Sequence, residues 1–284
     1  MNVEVGGSYV DLHTHTTASD GILPPEQVVE AAAAADLKAI AITDHDTVDG
    51  VARAREAGAR LGVRIVPGVE LSASMGEHEI HILALNVSRL ERIEQRLADL
   101  RNLRLGRARL IVDKLNALGV TLSFDEILAA SAGGAVGRPH VARVMVERGF
   151  AADLRDAFQR YLRAGAQAFV PKGKLAVKDA VAIAHEAGAV AIWAHPGSGG
   201  RRERLERMIE AGMDGAEVLH PSHSPEDVVR IRALVDFFRI LPSGGSDWHG
   251  VADGFRQLGM MHVPLDWLER QDARRAQIAA AAVA

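Results

Sequence analysis

Histidines and carboxylates recur in this chain directly after short apolar segments, and this arrangement constrains the fold more than any other feature. Each apolar segment is followed, in most of the chain, by a stretch with helical periodicity. Such alternation is typical of an α/β fold with mostly parallel, buried strands. We therefore predict strands over residues 9–12, 39–43, 64–69, 78–85, 190–194, 216–219 and 239–241.

Nine of these polar residues lie at or near the carboxyl ends of the predicted strands. Because the carboxyl ends of parallel strands share one rim in barrels and open sheets, the nine side chains are expected to converge. The chain has no cysteine, so a metal ion bound there must be held by nitrogen and oxygen atoms. The candidate ligands are His13, His15, Asp20, His45, Glu70, His81, His195, Asp247 and His249.

The spacing of these candidates strengthens the prediction of a metal centre. His13 and His15 are two residues apart, as are Asp247 and His249, and residues two apart in an extended chain point the same way. A single such pair is often an ordinary loop feature or a pair of satisfied core histidines. Six histidines with three carboxylates exceed what one tetrahedral ion needs, and they predict two or three divalent ions that share a bridging carboxylate. This ligand set suits Mn²⁺, Zn²⁺ or Fe²⁺.

The alternation of strands and helices stops near residue 90 and resumes near residue 177. Only helical patterns occur between these points, among them a capping box over Ser123–Glu126 and helices over residues 138–148 and 153–162. We predict a metal-binding α/β barrel formed by residues 1–99 and 168–284, with a helical insertion over residues 100–167. Between Leu100 and Lys172 there are 12 Lys and Arg but 6 Asp and Glu, although the whole chain has a net charge of −4. This basic surface is either a solvated face or, as we predict, a lid over the metal-binding end of the barrel.

Several polar side chains are candidates for substrate contact. Arg138 and His140 open a helix after the glycine-rich segment 132–137, where an arginine and helix N–H groups can bind one phosphate. Each candidate taken alone is also typical of a surface side chain. The predicted substrate contacts are Asn102, Arg104, Arg138, His140, Lys172, Lys178 and His223, and the predicted catalytic residues are Glu70, Asp247 and His223.

Two aspartates beside candidate ligands have a weaker interpretation. Asp11 and Asp44 are candidates to accept hydrogen bonds from imidazole N–H groups, and surface or helix-cap roles are the alternatives. His220 follows a predicted strand as well, and it is a candidate either for substrate contact or for support of a ligand.

Composition excludes several classes of protein. Hydrophobic residues make up 48% and charged residues 25% of the chain, which is typical of a folded globular protein. A net charge of −4 disfavours a protein that coats DNA. We find no signal-peptide pattern and no apolar run of about 18 residues, so we expect a cytoplasmic protein that does not bind membranes. No obligate protein partner is indicated.

The strings DLHTHTTASDG, ITDHDTV, GVE, EIHIL, AHPG and GSDWHG together resemble the motifs of the PHP (polymerase and histidinol phosphatase) family of metal-dependent phosphoesterases. The helical insertion and the GRPH string resemble the TrpH-like branch. The resemblance implies a distorted (β/α)7 barrel, similar to a TIM barrel, with two or three metal ions, Mn²⁺ being favoured. It assigns the ligands in three sets: His13, His15, Glu70 and Asp247; Glu70, His81 and His195; and Asp20, His45 and His249.

The resemblance also implies an activity. We expect a phosphatase that removes the 3′-phosphate of nucleoside 3′,5′-bisphosphates, because members of the branch act on nucleotides and a basic insertion can hold the second phosphate. One alternative is a 5′–3′ exonuclease that acts on short oligonucleotide ends. Another is histidinol phosphatase, whose cationic substrate would need an acidic pocket. A non-catalytic, metal-stabilised binding module is the third, and the complete ligand set disfavours it.

Overall fold

A computed structural model of the protein describes residues 8–76, 78–171, 175–250 and 255–281. The strands are β1 (Tyr9–Asp11), β2 (Ala39–Ile42), β3 (Arg64–Met75), β4 (His78–Leu85), β5 (Val190–Trp193), β6 (Gly215–Leu219), β7 (Leu241–Gly244) and β8 (Val263–Pro264). The helices are α1 (Pro25–Ala34), α2 (Gly50–Leu61), α3 (Leu90–Ala117), α4 (Phe124–Ala130), α5 (Arg138–Glu147), α6 (Leu154–Ala157), α7 (Val177–Glu186), α8 (Arg202–Glu210), α9 (Pro225–Phe238) and α10 (Leu265–Ala281).

The described strands form one sheet that curls into a nearly closed barrel. Strands β1 to β7 lie side by side in chain order, and β8 pairs with the outer edge of β1. The chain beyond β7 runs beside the chain beyond β1, where Leu12 N–H donates to Gly244 O and Asp247 N–H donates to His13 O. These backbone bonds close the gap between β7 and β1. The predicted α/β barrel is therefore confirmed.

The prediction of mostly parallel strands is confirmed for six of the seven predicted strands, and β4 is the exception. Strands β1 to β3 are parallel, and so are β5 to β7, but β4 is antiparallel to both β3 and β5. Strand β8 is antiparallel to β1. Only two residues separate β3 from β4, and a connection this short joins antiparallel strands, because a parallel pair needs a crossover. Strand β3 also extends six residues beyond the predicted end at residue 69, and this extension forms a hairpin with β4.

Two further boundaries differ from prediction. Arg239, predicted to start the last barrel strand, has φ of +54° and caps α9, so the strand begins at Leu241. A left-handed residue ends a helix and cannot belong to the following strand. The predicted helix 153–162 is the short α6, which continues as a π-helical turn over Phe158–Leu162. The predicted capping box is confirmed, since Ser123 N–H donates to Glu126 Oε2 and Asp125 N–H donates to Ser123 Oγ.

Helix α3 joins two apolar cores. Its first half packs Ile93 and Leu97 into the core of the barrel. Its second half packs Ile111 and Leu115 into a separate cluster with α4, α5 and α6. We call α3 to α6 with the π-helical turn the helical segment. The predicted boundary between residues 99 and 100 falls within α3 and stays a prediction. In the described ranges, no helix has the length and apolar character needed to cross a bilayer.

Candidate metal centre

The nine predicted ligands meet at one end of the barrel. Two groups of three have ligand atoms within 4.8 Å of one another, namely His15, Asp20 and His249, and His45, Glu70 and His81. The same limit holds for four buried residues: His13, His15, Glu70 and Asp247. His195 joins them through Nε2, which lies 3.0 Å from Glu70 Oε1.

Strand direction explains why these side chains converge. The chain leaves β1, β2, β5 and β7 at the same rim, and most of the nine residues lie in the loops that follow. His81 is different, since it lies in the first half of β4 opposite Ser72 of β3. The prediction that His81 lies at or near the carboxyl end of a parallel strand is wrong, because β4 is antiparallel to its neighbours. Because β4 runs antiparallel, its amino-terminal half reaches the rim where the parallel strands end, and His81 arrives there from the opposite direction.

Glu70 is at the centre of the cluster. Its side chain is 1% exposed, and its two oxygens face different imidazoles. Oε1 lies 2.8 Å from His81 Nδ1 and 3.0 Å from His195 Nε2. Oε2 is 3.1–3.3 Å from nitrogens of three further imidazoles, those of His13, His15 and His45. A carboxylate that presents each oxygen to a different set of nitrogens has the arrangement of a bridging ligand.

Burial and unlike charges compete in this cluster. Burial favours a neutral carboxyl, but His45, His81 and His13 hold the pKa of Glu70 well below its usual range. Burial likewise favours a neutral imidazole at His15, yet Asp247 and Glu70 raise its pKa to about 10. Concentrated negative charge therefore surrounds this set of imidazoles.

The donor set fits divalent cations. The Nε2 atoms of His13 and His15 face each other at 3.2 Å. Among the described residues, Nδ1 of His45 and Nε2 of His220 have no partner with hydrogen-bond geometry, although they lie 3.1 Å from Glu70 Oε2 and 3.4 Å from Asp247 Oδ2. Nitrogen and carboxylate atoms grouped in this way could hold a shared cation, and imidazole with carboxylate is a ligand set for borderline divalent metals.

Backbone strain accompanies two of the candidate ligands. His195 has φ of +33° and Asp247 has φ of +50°, which non-glycine residues rarely adopt. Strained residues of this kind persist where the surrounding structure fixes them, and they cluster at functional sites. Gly245 is packed so closely that a Cβ there would lie 2.5 Å from His13 Cβ. The loop after β7 thus depends on glycine to bring Asp247 against His13.

Glu217, a fully buried residue of β6, belongs to the cluster although it is not among the predicted site residues. Its Oε1 lies 3.1 Å from His13 Nδ1, and its Oε2 accepts a 2.6 Å hydrogen bond from His195 N–H. Together with His13 and His220 it forms a fourth group of potential ligands. A carboxylate inside the apolar run GAEVL was the signal that could have identified it.

The predicted role of Asp11 and Asp44 as imidazole partners is wrong. Asp11 accepts hydrogen bonds from backbone N–H groups, including those of Ser246 and Gly259. Asp44 accepts from Thr16 N–H and Oγ1 and from Ser19 Oγ. Both are buried and organise the ligand-bearing loops, because backbone amides and hydroxyls reach them before any imidazole does. Glu217 holds the position beside His13 that was expected for them.

The predicted substrate contacts do not share one site: some are exposed on helices, and others are bonded to backbone groups. Asn102 and Lys178 are exposed on α3 and α7, and Lys172 lies outside the described residues. His140 is buried, and its Nδ1 accepts from Gly137 N–H at 3.0 Å. His223 donates from Nδ1 to Val218 O and accepts at Nε2 from Gly197 N–H. Both ring nitrogens of His223 are therefore engaged by backbone groups.

Arg138 is the predicted contact that faces a cavity beside the metal centre. This cavity has a volume of about 290 Å³, and its lining includes His81, His195, Arg138 and Arg204. Nη2 of Arg138 lies 3.2 Å from Glu79 Oε2. Arg204, which is not among the predicted contacts, belongs to α8 of the barrel. The structure therefore joins one arginine from each part of the chain at this cavity.

The helical segment forms polar contacts with the loops that carry the candidate ligands His45 and Asp20. Arg104 is 9% exposed, forms an ion pair with Asp46 next to His45, and donates to Ser72 Oγ at 2.7 Å. Arg143 donates to the carbonyl of Asp20. Arg104 thus contacts the loop that follows β2, and Arg143 contacts the loop that follows β1.

A family model, related sequences and a solved structure all relate this chain to PHP-domain proteins and phosphoesterases. A family model described as "PHP domain" matches residues 11–175. The 3′,5′-nucleoside bisphosphate phosphatase of Chromobacterium violaceum is 36% identical over 88% of this chain and 90% of its own. The 5′–3′ exoribonuclease Rnm of Escherichia coli is 36% identical over 84% of each chain. A crystal structure from Bifidobacterium adolescentis, described as that of a metal-dependent phosphoesterase, superposes with a TM-score of 0.86 and 31% identity, over 94% of this chain and 96% of its own.

Proposed function

The chain belongs to the PHP domain family, and from this premise we propose that it is a metal-dependent phosphatase. Its substrate in this proposal is a nucleoside 3′,5′-bisphosphate, from which it removes the 3′-phosphate to give the 5′-monophosphate and inorganic phosphate. The observation that supports this most strongly is the position of Arg138 and Arg204 beside His81 and His195. A bisphosphate needs two anion sites, and in this proposal one is the metal centre and the other is the pair of arginines beside it.

The metal centre is proposed to hold two or three divalent ions, Mn²⁺ being favoured. The proposed ligands are the nine residues predicted from the sequence, with Glu70 as the bridge. Ions held there would lower the pKa of water and neutralise charge on the phosphoryl oxygens. Glu217 would position the first histidine of the centre, because its carboxylate contacts the ring nitrogen of His13 that faces away from Glu70.

The arginine-lined cavity is proposed to hold the phosphate that remains in the product. Arginine binds phosphate through parallel N–H groups, and such charge-assisted bonds are about twice as strong as neutral ones. Glu79 pairs with Arg138 in the structure. An entering phosphate would compete with that carboxylate for the guanidinium. Arg204 would supply a second cation from the barrel wall.

The source of the proton for the leaving oxygen remains a prediction. A water at the metal centre and a rim histidine such as His223 are the two candidates that the sequence leaves open, and both ring nitrogens of His223 are bonded to Val218 O and the Gly197 N–H. Burial lowers its pKa below the ordinary value, which favours the neutral ring. Proton donation by His223 would require one of these backbone bonds to break.

A second candidate function is 5′–3′ exonuclease action on short oligonucleotides. The relative from Escherichia coli is named for such an activity and has the same identity to this chain as the bisphosphate phosphatase. Histidinol phosphatase is less well supported, since two arginines line the cavity where its cationic substrate would bind. The buried, complete ligand set also supports an enzyme over a binding module. A cytoplasmic location stays part of the proposal.

A substrate panel tests the proposal. Purified protein with Mn²⁺ is given adenosine 3′,5′-bisphosphate, a 5′-phosphorylated RNA trinucleotide, histidinol phosphate and an aryl phosphate, and its metal content is measured in parallel. We expect two or three ions per chain and the highest kcat/KM for the bisphosphate. A higher kcat/KM for the trinucleotide would favour the exonuclease, and a metal-loaded protein inactive on all four substrates would overturn the proposal.

A further inference from the structure

A second cavity, with a volume of about 730 Å³, lies beside Asp20 and His249. It lies between the barrel and the helical segment. Its apolar lining comes from both parts: Ile22 and Phe255 from the barrel, and Pro139, Val146, Leu154 and Phe158 from the helical segment. Small-molecule pockets in proteins are of this size and are mostly apolar with a few polar groups.

The apolar lining of this cavity is exposed to an unusual degree. Ile22 is 37% exposed, Leu154 is 39% exposed and Phe255 is 67% exposed. Scattered apolar side chains on a surface need no explanation, but several that line one cavity mark a binding surface. The surface is continuous with the metal centre, because Asp20 and His249 belong to both.

The cations around this cavity are already engaged. Arg143 donates to the carbonyl of Asp20. Nη1 of Arg256 lies 2.6 Å from Asp247 Oδ2 and 2.8 Å from Asp247 O. The remaining lining is mostly apolar and its other charged groups are the carboxylates of Asp20, Glu147 and Asp153, so an apolar group matches it better than a second phosphate.

Phe158 connects this cavity to the arginine-lined one. Its ring centroid lies 5.8 Å from the guanidinium carbon of Arg138. Phe158 also starts the π-helical turn, a local irregularity that is frequent at functional sites. A ligand with a flat apolar part and an anionic part could therefore use both cavities while a second phosphate occupies the metal centre.

We propose that the cavity beside Asp20 and His249 holds the nucleobase of the substrate against the rings of Phe255 and Phe158. This proposal rests on the proposed function and extends it to substrate selection. Aromatic faces bind every base, because each base has a π face, and such stacking discriminates little between sequences. The enzyme is therefore expected to accept all four bases with similar kcat/KM while discriminating against a substrate without a base.

Phe255→Ala tests the assignment with little risk to folding, because this ring is largely exposed. Kinetics are compared for adenosine 3′,5′-bisphosphate and for its abasic analogue, 1-deoxyribose 3,5-bisphosphate. Loss of one stacked aromatic ring predicts a drop of roughly 10-fold or more in kcat/KM for the nucleotide. The abasic analogue is expected to react equally well with the variant and the unmodified protein. Phe158→Leu is a second variant, expected to act in the same direction.

Phe237→Ala is the matched control, since Phe237 is 64% exposed on α9 and does not line the cavity. Equal losses on both substrates, or no loss on the nucleotide, would overturn the nucleobase assignment while leaving the phosphatase proposal intact. If the unmodified protein hydrolyses no bisphosphate, the phosphatase proposal fails instead. The nucleobase assignment is then decided by titrating adenosine 5′-monophosphate into the unmodified protein and Phe255→Ala. Weaker binding to the variant would support it, and equal binding would overturn it.

Discussion

In the barrel, the residues around the metal centre lie on strands or in the loops that follow them, close to the backbone that positions them. The helical segment reaches the same place through long side chains of α3 and α5 and through the Ala135 N–H, which donates to Ala18 O at 3.0 Å. Arg104, Arg138 and Arg143 extend from these helices to Asp46, Glu79 and the carbonyl of Asp20. The first arrangement places the donor atoms on short side chains next to the barrel backbone, within 4.8 Å of one another in each group. The second joins a separate apolar core to the centre by charged contacts.

This difference indicates a division of roles. In the proposed function, the barrel with its buried ligands would determine whether metal ions bind, and the helical segment with its own core would determine which phosphate esters reach them. The two parts share α3, whose two halves pack into different cores. If the division is correct, substitutions in the two parts will separate metal content from substrate preference.

Glu70→Gln gives the largest expected effect on the barrel side. A neutral amide cannot balance the charge of two cations, so kcat/KM should fall by roughly 10³-fold, comparable to the loss of a preorganised catalytic group. Circular dichroism should remain unchanged, and elemental analysis should show loss of metal. Asp214→Asn is the control, since Asp214 is a buried barrel carboxylate outside the centre. Near-normal turnover with full metal content would show that Glu70 is not the bridge.

Two leucines of α3 test the division between the cores. Leu97 and Leu115 are both fully buried, one in the barrel core and one in the helical core. Each change to alanine should lower the free energy of unfolding by about 2–5 kcal/mol. Leu115→Ala should raise KM while metal content is retained, whereas Leu97→Ala should also weaken metal binding. Denaturant titration, kinetics and elemental analysis measure these effects. Equal metal loss in both variants would mean that the two cores act as one unit.

Arg138→Ala tests the substrate side of the comparison. Loss of a charge-assisted contact worth about 1.5–3 kcal/mol should reduce kcat/KM for the bisphosphate by roughly 10- to 100-fold. An aryl phosphate has no second phosphate and should be hydrolysed as before. Arg160→Ala is the control, because Arg160 lies in the same segment and pairs with Asp156 on the surface. Equal loss on both substrates would assign Arg138 to the reacting phosphate instead.

The smallest expected effect concerns a barrel carboxylate outside the metal centre. Asp214 is a buried residue that directly precedes β6. Burial alone would raise its pKa, but hydrogen bonds from His185, the Ala191 N–H and Arg274 outweigh burial, so the pKa lies below the usual value. A lowered pKa stabilises the fold above pH 4, and the contribution is lost as pH falls through the folded value. Asp214→Asn should therefore cost about 1–3 kcal/mol at pH 7. The difference should narrow below pH 4 in denaturant titrations. A constant difference across pH would show that the ionised carboxylate is not responsible.

The local features of this protein follow from its sequence. Apolar runs and helical periodicity placed most strands and helices, because burial patterns repeat with the geometry of each element. The Ser123 capping box was readable since its partners are three residues apart. The nine candidate ligands could be selected together because each is close to a predicted strand and strand ends meet at a shared rim. The family motifs carried the same information in longer strings.

Tertiary structure decided what depends on residues far apart in the chain. The reversed direction of β4 places His81 at the centre, and periodicity is the same for a parallel and an antiparallel buried strand. Glu217 supports His13 across 204 positions of sequence, and Asp46 binds Arg104 across 58. Only the folded chain brings Arg204 to Arg138 and Phe255 to Phe158. Which side chains contact each other depends on packing, and local sequence patterns do not encode packing. The sequence therefore determined which chemical groups are available, and the fold determined which of them share a cavity.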